Sequence, residues 1–425
     1  MIRQPSPPLS SLHGLSLVFA GLILVYAWVA WNARDRILQG NSDFIVYYTG
    51  VRIVQSGWGS SLYDLEVQAT TQNAVLESMG SRFQFLDGLL PYNHLPFELL
   101  FFLPLGSLPY LKAFLFWGVV SVACVGISVG LLLWDGSNWF RNPEVHRYFL
   151  GAFAFLPVAI NLLQGQDSAS TLLFLTLSFQ SFRQSRDVRA GLWLSLLLQR
   201  FQFLPLMLLM LLFKRRWRAL AGFAAGAFAI LLACLYVVGI SGLQDYGRLV
   251  IGMTGWTERT LQSWARRSLV EMQCLRGQAY ALWYPTHTLW ANCATAFATL
   301  ALTVVLLHGW RGPWQAGGNR FDLQFALLVL TSVVASPHVN FHDLTLLVLP
   351  SILIVRNTVG RNLAASMKHL RVWTFVLCYP VTLAALIVSG WGPLRLAVWG
   401  ILIVAFLLMR VIGARIGSHL ERVDA

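Results

Sequence analysis

The sequence is poor in charge: of its 425 residues only 12% are Asp, Glu, Lys or Arg, while 56% are hydrophobic. The mean hydropathy is +0.62. Soluble domains carry about 25% charged residues, so this composition excludes a soluble globular protein. We therefore expect an integral membrane protein surrounded by membrane lipids.

Several familiar motifs are also missing. The sequence has no phosphate-cradling glycine-rich loop of the nucleotide-binding kinds, no His-Glu-x-x-His and no Gly-x-Ser-x-Gly. It has only five cysteines, and four of them lie in apolar runs, so no disulfide framework is indicated. No nucleotide, metal or other cofactor is expected from these patterns.

Long apolar runs are what the sequence does contain. Eleven such runs lie at 12–31, 110–134, 148–163, 168–182, 190–213, 219–240, 285–309, 323–336, 343–355, 372–389 and 394–411. Polar residues and Pro205 interrupt the run 190–213, so we interpret it as two half-spans that meet at a turn, which gives twelve crossings. The runs are continuous rather than alternating, which disfavours a β-barrel. The predicted fold is an all-α polytopic membrane protein with about 12 transmembrane helices, forming a single domain over 1–425.

The positions of Lys and Arg predict the orientation. With the N-terminus inside, the basic segments 183–189, 214–218 and 356–371 lie on the inner side, as the positive-inside rule requires. The net charge of +13 is then explained without a nucleic-acid partner. A crossing at 96–108 would send later basic loops outward, so we interpret that segment as interfacial or re-entrant.

This topology places two long polar excursions, 32–109 and 241–284, on the outer face, where we expect the substrate chemistry. In the first, apolar residues follow Asp43 at helical spacing, which predicts an amphipathic helix along the outer membrane surface. A second, more polar helix is expected at 64–79. Taken locally, Asp43 is better explained as a helix cap than as a catalytic residue. Asp64 and Glu66 are likewise better explained as a solvated helix start than as a metal-binding pair.

Three further outer segments hold candidate binding residues. The turn "SPHVNFHD" places His338, His342 and Asp343 beside hydrocarbon, which favours a function, although a polar turn capped by Asp343 is the alternative. These side chains do not by themselves form a closed metal-ligand set. In "QGQDS" we expect Gln166 to line a cavity. Asp167 either lines the substrate groove as well or, the interpretation we favour, is a solvated residue of a tight turn. In the second excursion, Trp, Tyr and Arg residues fit either sugar and phosphate binding or an interfacial helix with snorkelling arginines.

Five segments, taken in order, resemble glycosyltransferase family 87. They are "SDFIVYYTG", "LPYNHLPFELLFF", "LLQGQDSAS", "LLLQRFQFLP" and "SPHVNFHD", and the similarity extends over roughly 14–412. The tyrosine–proline segment lacks the family's double proline and contains His94. The family's Lys-Pro pair appears here as "QRFQFLP", in which Arg200 is a neighbour of the lysine position rather than a match.

The resemblance implies a GT-C-type enzyme that depends on polyprenol-phosphate-mannose. Its expected reaction is inverting transfer of mannose from a polyprenyl-phosphate donor to a glycolipid or glycan acceptor outside the membrane, with Asp43 as catalytic base. The residues expected to bind the donor phosphate or the acceptor are Arg52, Tyr92, His94, Gln166, Arg266, Arg267, His338 and His342. The expected location is a bacterial inner membrane. A secondary transporter or lipid flippase, or an enzyme of this type with another sugar such as a pentose, remains an alternative.

Overall fold

The computed structural model describes residues 9–81, 89–134, 145–255, 269, 271–284, 286–358, 365–388 and 392–420. Within these ranges all regular secondary structure is helical, in agreement with the predicted all-α class. The helices of the first half are α1 (Leu9–Leu38), α2 (Phe44–Gln55), α3 (Leu65–Ser78), α4 (Leu99–Phe102), α5 (Tyr110–Leu133), α6 (Val145–Phe153), α7 (Leu156–Gln164), α8 (Ser168–Arg183), α9 (Asp187–Ser195) and α10 (Leu204–Phe213).

The second half contains α11 (Trp217–Gly255), α12 (Leu275–Trp283), α13 (Thr288–Gly309), α14 (Asn319–Ala335), α15 (Val348–Thr358), α16 (Ala365–Val376), α17 (Thr382–Val388) and α18 (Leu396–Leu420). Short 3₁₀ segments connect several of them, at Gly59–Ser61, Pro96–Glu98, Leu103–Ser107, Leu196–Phe203 and His342–Leu347. A π-helical turn at Leu377–Val381 joins α16 to α17.

Among the described residues, seven helical stretches are long and apolar enough to cross a membrane, or eight if the bent pair α6–α7 is one span. The predicted number of twelve is larger. The difference arises partly because some apolar stretches form shorter helices: α8 has 16 residues and α14 has 17. The chain is therefore a polytopic membrane protein, and twelve crossings stay a prediction.

The stretch 187–213 turns back on itself, although its length alone would allow one span. Arg200 has non-helical angles (φ −129°, ψ 56°) between α9 and α10. Arg216, just beyond α10, forms an ion pair with Asp187 at the start of α9. A straight helix of this length would separate these residues by roughly 40 Å at 1.5 Å per residue. This geometry agrees with the two half-helices expected from the polar interruption.

The outer segments of the predicted topology meet at one end of the helix bundle, which we call the site end. Ser42 Oγ lies 3.0 Å from Tyr110 Oη, so both ends of the first excursion lie together and 96–108 does not change sides. His342 Nδ1 lies 2.8 Å from Gln164 Oε1, and Gln273 N donates to Val339 O at 2.7 Å. The site end is therefore built from segments distant in sequence.

The basic segments lie at the opposite end. There Lys214 Nζ donates to Gly312 O at 2.7 Å, and Arg183 Nη1 lies 3.4 Å from Asp322 Oδ2. Both contacts join segments that the positive-inside rule assigned to the same side. The separation of these residues from the site end agrees with the predicted topology.

The expected exposed face of α2 is not found, while its position relative to the membrane surface stays a prediction. Nine of its residues are buried, including Phe44, Tyr47 and Tyr48. The Tyr47 ring stacks on Phe102 with centroids 4.5 Å apart, and Phe44 packs edge-on against Tyr110 at 5.6 Å. The segment 96–108 covers the helix, which a hydrophobic period along α2 alone cannot reveal. α2 is thus part of the protein core at the site end.

Two glycines allow α9 and α11 to pack with their backbones in contact. A Cβ atom on Gly191 would lie 2.0 Å from Ala219 O, and one on Gly222 would lie 2.2 Å from Val188 O. Small residues at such crossings let helices approach closely in membranes. This contact holds the broken stretch 187–213 against the long helix α11.

We expect Gly191→Ala to lower the thermal unfolding temperature in detergent, because its methyl group would displace the α11 backbone. Gly118→Ala is the matched control in α5, since nothing lies within 4 Å of its added Cβ. Alanine leaves the unfolded chain less conformational freedom than glycine does. The control should therefore be neutral or raise the free energy of unfolding by about 0.5–1 kcal/mol. Equal unfolding temperatures for the two variants would contradict the close packing of α9 on α11.

Candidate active site

Asp43 directly precedes α2, yet its side chain does not cap the helix. Its Oδ2 atom instead accepts a hydrogen bond from Gln166 Nε2 at 2.7 Å, and the residue is partly exposed. Asp64 shows the expected alternative: its Oδ1 accepts from the N–H groups of Glu66 (2.8 Å) and Val67 (3.2 Å). The cap interpretation is therefore confirmed for Asp64 and wrong for Asp43.

Gln166 reaches Asp43 from the turn between α7 and α8. The turn begins at Gly165, whose φ of +65° is left-handed and whose added Cβ would lie 2.7 Å from Phe44 Cβ. Glycine is the residue that adopts this angle at no steric cost. The Gln166 amide oxygen accepts hydrogen bonds from Tyr47 Oη at 2.9 Å and from Arg200 Nη2 at 2.6 Å.

Arg200 is the buried cation of the site. Its Nε donates to Asp167 Oδ1 at 2.7 Å, its Nη2 also contacts that oxygen, and its Nη1 lies 3.7 Å from Asp343 Oδ1. The break between α9 and α10 directs this side chain to the site end. Asp167 does not cap α8, so its expected role as a solvated turn residue is wrong: it is a buried partner of Arg200. Burial alone would raise the pKa of Asp167, but the Arg200 charge outweighs it and the pKa is lowered.

Glu98 and His94 form a second buried pair beside Arg200 and Asp167. Glu98 is fully buried, and its Oε2 lies 2.9 Å from His94 Nδ1. Burial, followed by the charge of Asp167, raises the pKa of Glu98 well above its ordinary value. Burial, followed by the charge of Arg200, lowers the pKa of His94 to about 4. The His94 imidazole is therefore neutral near pH 7, and burial disfavours the ionised form of Glu98.

The turn 336–343 is held by Asp343, whose Oδ2 accepts from Asn340 N at 2.8 Å and whose Oδ1 accepts from Ser168 Oγ at 3.2 Å. His338 Nε2 lies 3.2 Å from the side-chain nitrogen Nδ2 of Asn340. Burial lowers the pKa of His338 to about 4. Burial is also the largest cause that lowers the pKa of His342. The two histidines are thus neutral hydrogen-bonding groups at pH 7, not cations.

The structure brings together only part of the expected binding set. His94, Gln166, His338 and His342 lie around Arg200. Tyr92 lies beside them: its ring centroid is 5.5 Å from that of His94 and 6.5 Å from that of Tyr47, while its Oη donates to Leu95 O at 2.9 Å. Arg52 is exposed and donates to Gly106 O at 3.3 Å, away from this cluster. Arg266 and Arg267 lie outside the described residues. In the part of the chain that the structure describes, no group of three His, Cys, Asp or Glu side chains could hold a metal ion.

Arg200, Tyr47 and Glu98 belong to the site although the sequence did not identify them as site residues. A usable signal was present for two of them: Arg200 and Glu98 are charged residues within apolar stretches, which usually face a protein interior or cavity. Tyr47 gave no such signal, because its ring fits the apolar stripe of α2 and only its hydroxyl belongs to the site.

Comparison with known proteins gives one match, a model of glycosyltransferase family 87 over residues 92–337, more than half of the chain. The matched region contains His94, Glu98, Gln166, Asp167 and Arg200. Asp43, Arg52, His338 and His342 lie outside it. No curated protein and no solved structure matches the chain.

We expect Arg200→Met to destabilise the protein by about 3–5 kcal/mol, because removing one partner of a buried ion pair leaves uncompensated charge. The double variant Arg200→Met/Asp167→Asn should regain part of that loss. Thermal unfolding in detergent measures both. If the double variant is no more stable than Arg200→Met alone, charge pairing is not what Arg200 contributes.

The lowered pKa of His338 predicts a dependence of stability on pH. Its ordinary value is 6.5 and its folded value about 4, so the unfolded chain binds more protons between these pH values. The contribution of neutral His338 to the free energy of unfolding is fully present above pH 6.5 and is lost as the pH falls toward 4. The raised pKa of Glu98 changes stability with pH in the opposite direction. The contribution of His338 is therefore read from the difference between wild type and His338→Gln. We expect a shallower decline in unfolding temperature for that variant, whereas His287→Gln, at an exposed position, should follow wild type.

Proposed function

The chain belongs to glycosyltransferase family 87, and from this premise we propose that it transfers mannose from a polyprenyl-phosphate donor to a glycolipid or glycan acceptor, with inversion. Family membership supports sugar transfer rather than the transporter or flippase alternative. The location of the site supports a lipid-linked donor: it lies at the end of an apolar helix bundle, where a membrane-anchored sugar phosphate and a water-borne hydroxyl would meet.

The exposure of Asp43 is the observation that carries this proposal. Four carboxyl groups lie at the site, and Glu98, Asp167 and Asp343 are at most 1% exposed, with Glu98 in contact with His94 and the two aspartates in contact with Arg200. Asp43 is partly exposed, and one of its oxygens is held by Gln166. Among the four, it is therefore the carboxylate that an acceptor hydroxyl can approach.

In the proposed reaction, Asp43 accepts the proton of the acceptor hydroxyl as the oxygen attacks the anomeric carbon. The bond between that carbon and the phosphate oxygen breaks, its electron pair stays on the phosphate, and the configuration inverts. A single displacement needs a base on one side and hydrogen-bond donors for the phosphate on the other. His338 and His342, both neutral, are proposed as such donors or as acceptor contacts.

The proposed orientation puts the site end on the outer face of a bacterial inner membrane. Its support is the distribution of charge, because the basic segments around Arg183, Lys214 and Arg216 lie at the opposite end. Positive segments are retained on the cytoplasmic side. Arg266 and Arg267 stay proposed donor-phosphate contacts on sequence grounds.

We expect Asp43→Asn to lower turnover about 10²- to 10⁴-fold while the protein stays folded, since a general base contributes that much to a rate. Asp64→Asn is the matched control: it makes the same chemical change at an exposed carboxylate that caps α3. The measurement is transfer of labelled mannose from a synthetic polyprenyl-phosphate-mannose to a panel of glycolipids by purified protein in liposomes.

Full activity of Asp43→Asn would remove Asp43 from the mechanism. Parallel reactions with a polyprenyl-phosphate pentose test the sugar: faster transfer of the pentose would replace mannose in the proposal. Movement of the donor across the liposome membrane without any transfer would favour the transporter alternative over the enzyme.

A further inference from the structure

We propose that Gln166 is a positioning residue for the catalytic base, linking the buried Arg200 charge to the Asp43 carboxylate. This inference rests on the proposed function, in which Asp43 takes the acceptor's proton. It replaces the expected role of Gln166 in substrate binding, because its amide is occupied by protein groups on both sides.

The neighbours of Gln166 determine which way its amide points. A guanidinium group has five N–H donors and no acceptor, so the group facing Arg200 Nη2 must be the amide oxygen. Tyr47 Oη, itself 3.4 Å from Arg200 Nη2, donates to the same oxygen. The –NH₂ group therefore has to face Asp43, and a flipped amide would place its donors against those of Arg200. Arg200 thereby makes Gln166 a hydrogen-bond donor to the base.

The backbone of Gln166 is held as firmly as its side chain. Its N–H donates to Asn161 O at 3.0 Å, and its carbonyl accepts from Trp117 Nε1 at 3.3 Å. Gly165 lets this turn approach α2 closely. Because both backbone groups and both ends of the side-chain amide form hydrogen bonds, the Nε2 donor of Gln166 is held in a fixed position beside Asp43.

Asp43 needs this support because its own helix does not hold its side chain. A charge-assisted hydrogen bond to Oδ2 orients the carboxylate plane and leaves Oδ1 for the acceptor hydroxyl. Placement matters, since an error of about 1 Å in a catalytic group can cost on the order of 10² in rate.

The test compares Gln166→Leu with Gln199→Leu. Gln199 is a similarly buried glutamine that donates to Ser170 Oγ and Thr171 Oγ1, at 3.0 and 2.7 Å, and has no contact with Asp43. We expect Gln166→Leu to lower kcat about 10- to 100-fold. The KM for polyprenyl-phosphate-mannose should change less, because the change acts on the base and not on donor binding. In Gln199→Leu, the unfolding temperature should fall while kcat and KM stay near wild type.

A double-mutant cycle with Asp43→Asn separates positioning from independent effects. If Gln166 acts through Asp43, adding Gln166→Leu to Asp43→Asn changes the residual rate little. A further decrease equal to that seen in wild type would overturn the inference, as would a Gln166→Leu enzyme with unchanged kcat. With either result, a strongly reduced rate in Asp43→Asn leaves Asp43 as the proposed base. Full activity of Asp43→Asn would instead remove Asp43 from the mechanism, and the positioning role of Gln166 with it, while the transfer reaction itself would still be observed.

Discussion

The ionic contact between Arg200 and the buried carboxylates Asp167 and Asp343 is the interaction on which the site depends. Burying a charge costs several kcal/mol unless a partner of opposite charge and hydrogen bonds compensate it. Three separate segments meet this requirement together: the break between α9 and α10, the turn between α7 and α8, and the turn 336–343. Each supplies a group that would be unstable without the others, so the cluster ties the site end together.

From this cluster outward, the groups become progressively more accessible. Arg200, Asp167 and Gln166 are buried, and Asp43 is partly exposed. The Gln166 side-chain amide hydrogen-bonds to Arg200 on one side and to Asp43 on the other. A rigid, charged interior supporting one accessible carboxylate is the arrangement that general-base chemistry needs, because the base must be fixed in place and still meet a mobile acceptor.

Low polarity also determines which groups at the site carry charge. Burial favours the neutral forms of Glu98, His94 and His338, so Arg200 is balanced by aspartates and not by every acid nearby. The histidines then act through hydrogen bonds. A count of titratable residues in the sequence would have assigned this region more charge than it holds.

The sequence by itself determined the membrane class, the helical fold and the family, because apolar runs and ordered motifs are local features of the chain. It also indicated Asp43, His338 and His342 as candidates. Only the tertiary structure decided that Asp43 is bound to Gln166 and is not a cap, that α2 is buried, and that Asp167 serves Arg200. These roles depend on contacts between residues 33 to 153 positions apart. No local pattern records such a partner, since any of several polar groups could have satisfied the same side chain.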